Sequence, residues 1–275
     1  MAEIVAGFGM PHAPNFPALV AREGPQCDVA RLYAEVAEHV AAVEPDVLIV
    51  FTDDHFNTFF LDNFPTFAIG IADATAGPND QTPMPHYQVA VPGVLAAHIR
   101  TAALMRGFDI SLVQDFEVDH AVMVPLHFLT PAMQIPVLPI FVNALAPPLP
   151  TARRCHALGE AVRAAVESWP QPLRVAVIGS GSFSLEIGGP KIPPGDRAAG
   201  FPDPQWTQHV RDLLPQARID DLLDEATSAR MLQAGNIGGE LLNWIAMLGV
   251  IGVHKPRAML PHADHGHAFA VWRWN

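Results

Sequence analysis

His12 stands in Gly7-Phe8-Gly9-Met10-Pro11-His12-Ala13-Pro14, after the apolar residues Ile4-Val5-Ala6. His55 stands in Thr52-Asp53-Asp54-His55-Phe56-Asn57, after Val47-Leu48-Ile49-Val50-Phe51. Far downstream, Glu240 lies in Gly238-Gly239-Glu240-Leu241-Leu242-Asn243-Trp244. Two neutral imidazoles and one carboxylate form the facial donor set of a non-haem Fe(II) centre, with positions left open. Meeting in space, these three would handle oxygen. Each also has a plainer use: His12 could cap a turn, His55 could bond a backbone carbonyl, and Glu240 could pair with a buried arginine. Glu240 shares a helical face with Ile237, Leu241 and Trp244, so it is expected to point inward, where a lone carboxylate needs a cation.

Three further stretches carry donor groups. Asp119-His120 precedes an apolar segment that contains His127; Asp119 could orient an imidazole or cap a turn, and both histidines are candidate acid/base residues. Gly179-Ser180-Gly181-Ser182-Phe183-Ser184 follows an apolar strand and could cradle an anion on backbone N–H groups. It lacks the third glycine of a dinucleotide fingerprint and is not a nucleophile elbow. His262, His265 and His267, in Pro261–His267, could bind metal or be an exposed turn without a role. His39, His98, His156 and His209 fall in polar helical stretches and read as solvated.

The elements that must position these groups follow from hydropathy period. Residues 3–8, 46–52, 109–113, 135–143, 173–179 and 267–273 read as strands. Residues 28–44, 92–106, 124–132, 150–168, 204–213, 219–224, 226–233 and 236–248 read as helices, with Pro125 in the first turn of its helix. Residues 56–90 and 186–205 read as long irregular loops, the kind that shape binding pockets. Lys191 or Arg197 in the second could meet a substrate carboxylate. Strand and helix alternate, which gives an α/β fold: a single three-layer domain over 1–275 with a central mixed sheet flanked by helices. In such folds chemistry gathers at loops leaving strand C-termini, where His12 and His55 fall.

Composition narrows the function. The chain has 275 residues, half of them hydrophobic, and a net charge of −12. That excess of acid argues against nucleic acid and anionic membrane as partners. The two cysteines, Cys27 and Cys155, form no C-x-x-C pair, which argues against a disulfide scaffold or thiolate zinc and fits a reducing cytoplasm. No apolar run approaches membrane-spanning length, and the N-terminus shows no signal-like segment.

Met10-Pro11-His12-Ala13-Pro14, Asp54-His55-Phe56-Asn57 with Phe59-Phe60, Asp119-His120, the strand and loop at 175–184, and Gly239-Glu240 together resemble the class III extradiol ring-cleavage dioxygenases, the family of the protocatechuate 4,5-dioxygenase β subunit. The resemblance spans nearly the whole chain. It implies that His12, His55 and Glu240 hold Fe(II), with Mn(II) an alternative, and that His120 is an acid/base or substrate-orienting residue. It implies a catechol-, aminophenol- or gallate-like substrate opened with O2. It also implies an assembly, either a homo-oligomer or a complex with a small helical subunit. One departure stands out. The family's second catalytic histidine falls where this chain has Leu185, so His127 or Glu186 would have to take that role, or the substrate would not need it. A zinc hydrolase on the same ligands and a non-catalytic subunit remain the alternatives.

Overall fold

The short apolar runs of this chain become strands of one sheet. The computed structural model describes residues 1–188, 199–263 and 265–274. In chain order the elements are β1 (Ala2–Met10), α1 (Phe16–Glu23), α2 (Asp28–Val43), β2 (Val47–Thr52), β3 (Phe67–Gly70), β4 (Ala74–Gly77), β5 (Tyr87–Ala90), α3 (Gly93–Leu104), β6 (Ser111–Val113), α4 (His120–Leu129), β7 (Val137–Val142), α5 (Ala152–Glu167), β8 (Leu173–Ser180), α6 (Pro204–Leu213), α7 (Ile219–Glu225), α8 (Ser228–Gln233), α9 (Leu241–Ile251), β9 (Ala258–Pro261) and β10 (Ala268–Arg273). Eight strands form the sheet in the order β6-β3-β7-β2-β8-β1-β10-β9. The four central strands β7, β2, β8 and β1 are mutually parallel, while β3 and β10 join them antiparallel. The expected mixed sheet between helical layers is therefore what the chain builds.

Period-two alternation sends each central strand's side chains into both layers. Val47, Ile49 and Phe51 of β2 enter the core under α3, α5 and α9, whereas Leu48 and Val50 enter the core under α2 and α4. Every residue of α9 is buried, as expected of a helix apolar all round.

The structure redraws several elements. Residues 56–90 hold β3 and the small β4–β5 hairpin sheet, and α1 and β9 also go beyond the sequence expectation. The helix expected at 124–132 is α4, which starts at His120 because Asp119 caps it, its side chain accepting from the Ala121 N–H. Pro125 thus lies mid-helix rather than in the first turn. The helix expected at 236–248 begins with a 3₁₀ turn, Gly238–Glu240, that leads into α9.

Candidate metal centre and active site

Three of the four parallel strands end at one place. His12 follows β1, His55 follows β2, and the loop after β8 faces the 3₁₀ turn that carries Glu240. Pro125 has no N–H to offer the carbonyl four residues back, that of Ala121. Ser180 Oγ at the end of β8 donates to that carbonyl instead, at 2.9 Å. With its one hydrogen committed, Ser180 Oγ must accept from His12 Nδ1–H, 2.8 Å away. The bare nitrogen of His12 is then Nε2, which faces Glu240 Oε1 at 3.1 Å.

His55 is fixed the same way from another side. Asp119 Oδ2 accepts from its backbone N–H at 2.9 Å and from Nδ1–H at 3.0 Å. That leaves His55 Nε2 bare, 3.4 Å from Asp53 Oδ2 and 3.5 Å from Glu240 Oε1. Holding the far nitrogen with a carboxylate is the usual way to orient an imidazole toward a metal. Asp54, adjacent, accepts from the N–H groups of Asn57, Thr58 and Phe59 and so shapes the chain leaving the site.

Glu240 is 1% exposed, and its partner is His12 rather than an arginine. The glycine-rich turn after β8 does cradle an anion, and the anion is this side chain: Ser182 N–H donates to Glu240 Oε2 at 2.6 Å. Gly181 has φ +149°, and a Cβ there would sit 2.5 Å from Glu240 Cβ, so only glycine lets the two segments meet. Gly235, Gly238 and Gly239 likewise lie close against neighbouring segments, each against a backbone carbonyl.

As neutral rings, the two imidazoles therefore turn bare nitrogens onto carboxylate oxygens, an arrangement of lone pairs that either a proton or a metal ion between them resolves. Asp53 adds to this demand. Its Oδ1 accepts from Asn243 Nδ2 at 2.9 Å, but its fully buried Oδ2 has no hydrogen-bond partner among the described residues. One ligand atom from each of His12, Asp53, His55 and Glu240 lies within 4.8 Å of the others, so the donor set fits a divalent metal. The electrostatics agree. Burial works to raise the Glu240 pKa, but His12 and His55 outweigh it and hold it at about 2. Burial likewise works to strip charge from His12, and Glu240 beside it tips the balance toward a positive partner.

His120 stacks on His55 with ring centroids 4.3 Å apart, and its Nδ1 is held by Asp80 Oδ2. It borders a cavity of about 610 Å³ shared with His12, His55, Glu240 and Leu185, a size suited to a small aromatic ligand. Phe16, Leu19, Ile187, Phe201 and Ile237 give that cavity an apolar wall. His127 does not join them. Seven residues along α4 from His120 amount to two turns, about 10 Å at 1.5 Å per residue, and its Nδ1 pairs instead with the Tyr87 hydroxyl at 2.6 Å. Glu186 accepts from the Asn236 N–H and is not among the cavity-lining residues. Lys191 and Arg197 lie outside the described residues. His262 and His267 are buried, and His265 and His267 line the cavity, so this turn is not the exposed one its composition suggests. His98 is also tied down, bonding the Ala165 carbonyl and Ser168 across to α5.

Sequence reasoning missed Asp53, Asp80 and Ser180. Asp53 was findable: it and His55 stand two residues apart leaving a strand, and so share a side. Asp80 lies 40 residues from His120 in the β4–β5 connection, where no spacing announces it.

The description "Catalytic LigB subunit of aromatic ring-opening dioxygenase" belongs to a family model that matches residues 6–271. A 2,3-dihydroxyphenylpropionate/2,3-dihydroxicinnamic acid 1,2-dioxygenase of Mycobacterium ulcerans is 31% identical over 90% of this chain and 89% of its own length. One of the same description from Paraburkholderia xenovorans is 29% identical over 86% of this chain and 85% of its own length. A gallate dioxygenase of Pseudomonas putida is 31% identical over 68% of this chain and 52% of its own length. Among solved structures, an uncharacterized Escherichia coli K12 protein superposes with a TM-score of 0.57 at 11% identity, covering 98% of this chain and 99% of that one; it shares the fold.

Proposed function

This chain belongs to the family of catalytic LigB subunits of aromatic ring-opening dioxygenases, and from that premise we propose that His12, His55 and Glu240 hold Fe(II) for the extradiol opening of a catechol-like ring. One observation carries the assignment: both imidazoles turn bare Nε2 atoms onto buried carboxylate oxygens, Glu240 Oε1 and the unpartnered Asp53 Oδ2. The metal, when bound, supplies open positions at which an aromatic diol and O2 can be held together.

The chain's own residues do the rest. Asp119 and Ser180 lock the two ligand imidazoles in the metal-binding tautomer. His120, anchored through Nδ1 by Asp80, keeps Nε2 for a ring hydroxyl and serves as the acid/base on that side. The apolar wall excludes water from the ring. The relatives' names supply the substrate class: a catechol bearing a side chain, as in dihydroxyphenylpropionate, or a gallate. The two free cysteines support a reducing cytoplasm. Among the described residues no helix is long and apolar enough to cross a membrane. Phe60 and Leu61, exposed after His55, offer an apolar surface to a second copy or a small helical subunit.

Anaerobic loading with Fe(II), followed by O2 uptake across catechols, aminophenols and gallates, tests the proposal. O2 consumed in step with ring opening is the expected result. Turnover on zinc without O2 uptake would overturn it. Full iron occupancy in Glu240→Ala would overturn the ligand set.

A further inference from the structure

The cavity lined by His12, His55 and Glu240 has a second set of imidazoles. His262, His265 and His267 come from the turn between β9 and β10. His267 is 2% exposed and His262 7%. His262 Nδ1 and His267 Nε2 lie 3.0 Å apart, and the His262 and His265 rings stack at 3.6 Å. The turn is wound around one guanidinium: Arg211 donates to the carbonyls of His262, His265 and His267. It is also pinned to the loop after β8. The Gly266 carbonyl accepts from the N–H groups of Phe183 and Ser184, and a Cβ at Gly266 would sit 1.7 Å from the Ser184 carbonyl oxygen. Only glycine brings the turn this close to Leu185, which lines the same cavity with His265 and His267.

Merely filling space, a buried imidazole pair is a poor choice: it gives up solvation for one mutual hydrogen bond, where apolar side chains would pack at no such cost. The groups whose charge reaches His267 are His262, His265, Arg211 and Glu240. Burial and the cationic neighbours hold His262 and His267 below the usual histidine range, so both are neutral near pH 7. A neutral imidazole has one donor and one acceptor nitrogen. With Nε2 engaged by His262, the nitrogen left to His267 is Nδ1, which has no hydrogen-bond partner among the described residues.

We propose that His267 is a catalytic residue of ring opening, exchanging a hydroxyl proton with the bound aromatic diol, and that His262 is its positioning and relay partner. This rests on the reading that His12, His55 and Glu240 hold the metal in this cavity. The step moves one proton and no electrons. A ring O–H bond breaks as N–H forms at His267 Nδ1. The His267 Nε2 proton crosses to His262 Nδ1, and the His262 Nε2 proton leaves to water. Both imidazoles finish neutral with their tautomers exchanged. His120, held by Asp80, handles the other hydroxyl, so the two protons of a catechol have separate acceptors although position 185 is leucine.

The test uses His267→Gln, His267→Ala and His262→Gln in the full chain. Its readouts are metal stoichiometry, steady-state O2 uptake, and the visible spectrum of 4-nitrocatechol bound anaerobically, which reports its ionisation. At unchanged metal content His267→Gln should lose roughly 10²- to 10⁴-fold in kcat with KM changed less than about threefold. It should also bind 4-nitrocatechol in a less ionised form than the wild type does. Added imidazole should restore part of the rate to His267→Ala, and His262→Gln should shift the pH profile of kcat. A His267→Gln variant with full metal, the wild-type spectrum and at least a third of the wild-type kcat would overturn the inference. Should the His267 variants not fold, an unchanged rate and pH profile in His262→Gln would overturn it equally. A wild type that binds metal yet takes up no O2 with any diol defeats instead the reading on which the inference rests.

Discussion

Replacing Asp119 with asparagine should separate metal binding from folding at a single atom. Asp119 spends both oxygens. Oδ1 accepts from the Ala121 N–H and caps α4; Oδ2 accepts from the His55 N–H and Nδ1–H. An amide keeps one acceptor oxygen and turns a donor outward on the other side. With that oxygen on the cap, the NH2 group faces His55, whose Nδ1 must then accept. The ring proton moves to Nε2, the atom required by the metal. Loss of such a carboxylate partner costs roughly 10- to 100-fold in metal affinity, or about 1.4–2.7 kcal/mol. With the oxygen on His55 instead, the cap is lost, at about 1 kcal/mol of stability. Because Asp119 is held as a carboxylate well below its usual range by His55, despite its burial, the charged bonds to His55 are the stronger demand. Neither orientation restores them, so metal affinity should fall and the metal-free fold should lose about 1–3 kcal/mol while remaining folded. Competition against a chromophoric chelator measures the first quantity and chemical denaturation of the metal-free protein the second. Metal affinity within twofold of wild type, with unchanged stability, would refute the tautomer argument.

Three other outcomes follow from the same geometry. Gly181→Ala places a methyl group against Glu240 in a backbone region hostile to side chains, so metal stoichiometry should fall well below one per chain even where the variant remains folded by circular dichroism. His127→Gln should leave kcat within about threefold and cost about 1 kcal/mol in denaturation, the worth of its bond to Tyr87. Burial and the Asp119 carboxylate push Asp54 up to about 6 from 3.8, so the folded chain binds that proton more tightly than the unfolded one. This group's contribution is full below about pH 4 and is lost as pH rises through 6, a change of about 3 kcal/mol at 1.36 kcal/mol per unit. Asp54→Asn should flatten that part of the stability profile in denaturation curves taken from pH 4 to 7.

The strands and helices around the site were legible because apolar period is a local signal. The expected helix at 204–213 matches α6 residue for residue, and the buried run at 46–52 becomes β2 within one residue. The N-terminus of α4 was misplaced because Pro125 suggested a first turn, whereas Asp119 provides the stronger stop. In the site, His12, His55 and Glu240 meet in space as their types and positions suggest. Asp80 and Ser180 did not, because their partners lie 40 and 168 residues away and no local pattern encodes such a meeting. The histidine turn was misjudged for a related reason. Its polar composition suggests exposure, and only Gly266 against the Ser184 carbonyl carries it into the interior.

His12 and Glu240 stand 228 residues apart in the chain and 3.1 Å apart in the fold. During synthesis the two proposed histidine ligands and Asp53 leave the ribosome long before Glu240 exists, so the nascent chain can offer a metal only part of the donor set. Glu240 also arrives at the head of a helix that is buried along its whole length, which cannot seat until α5 and the central strands await it. Under the proposed ligand set, a complete metal site is thereby tied to synthesis as far as Glu240. A chain stopped before Glu240 would carry two of the proposed ligands and lack the third.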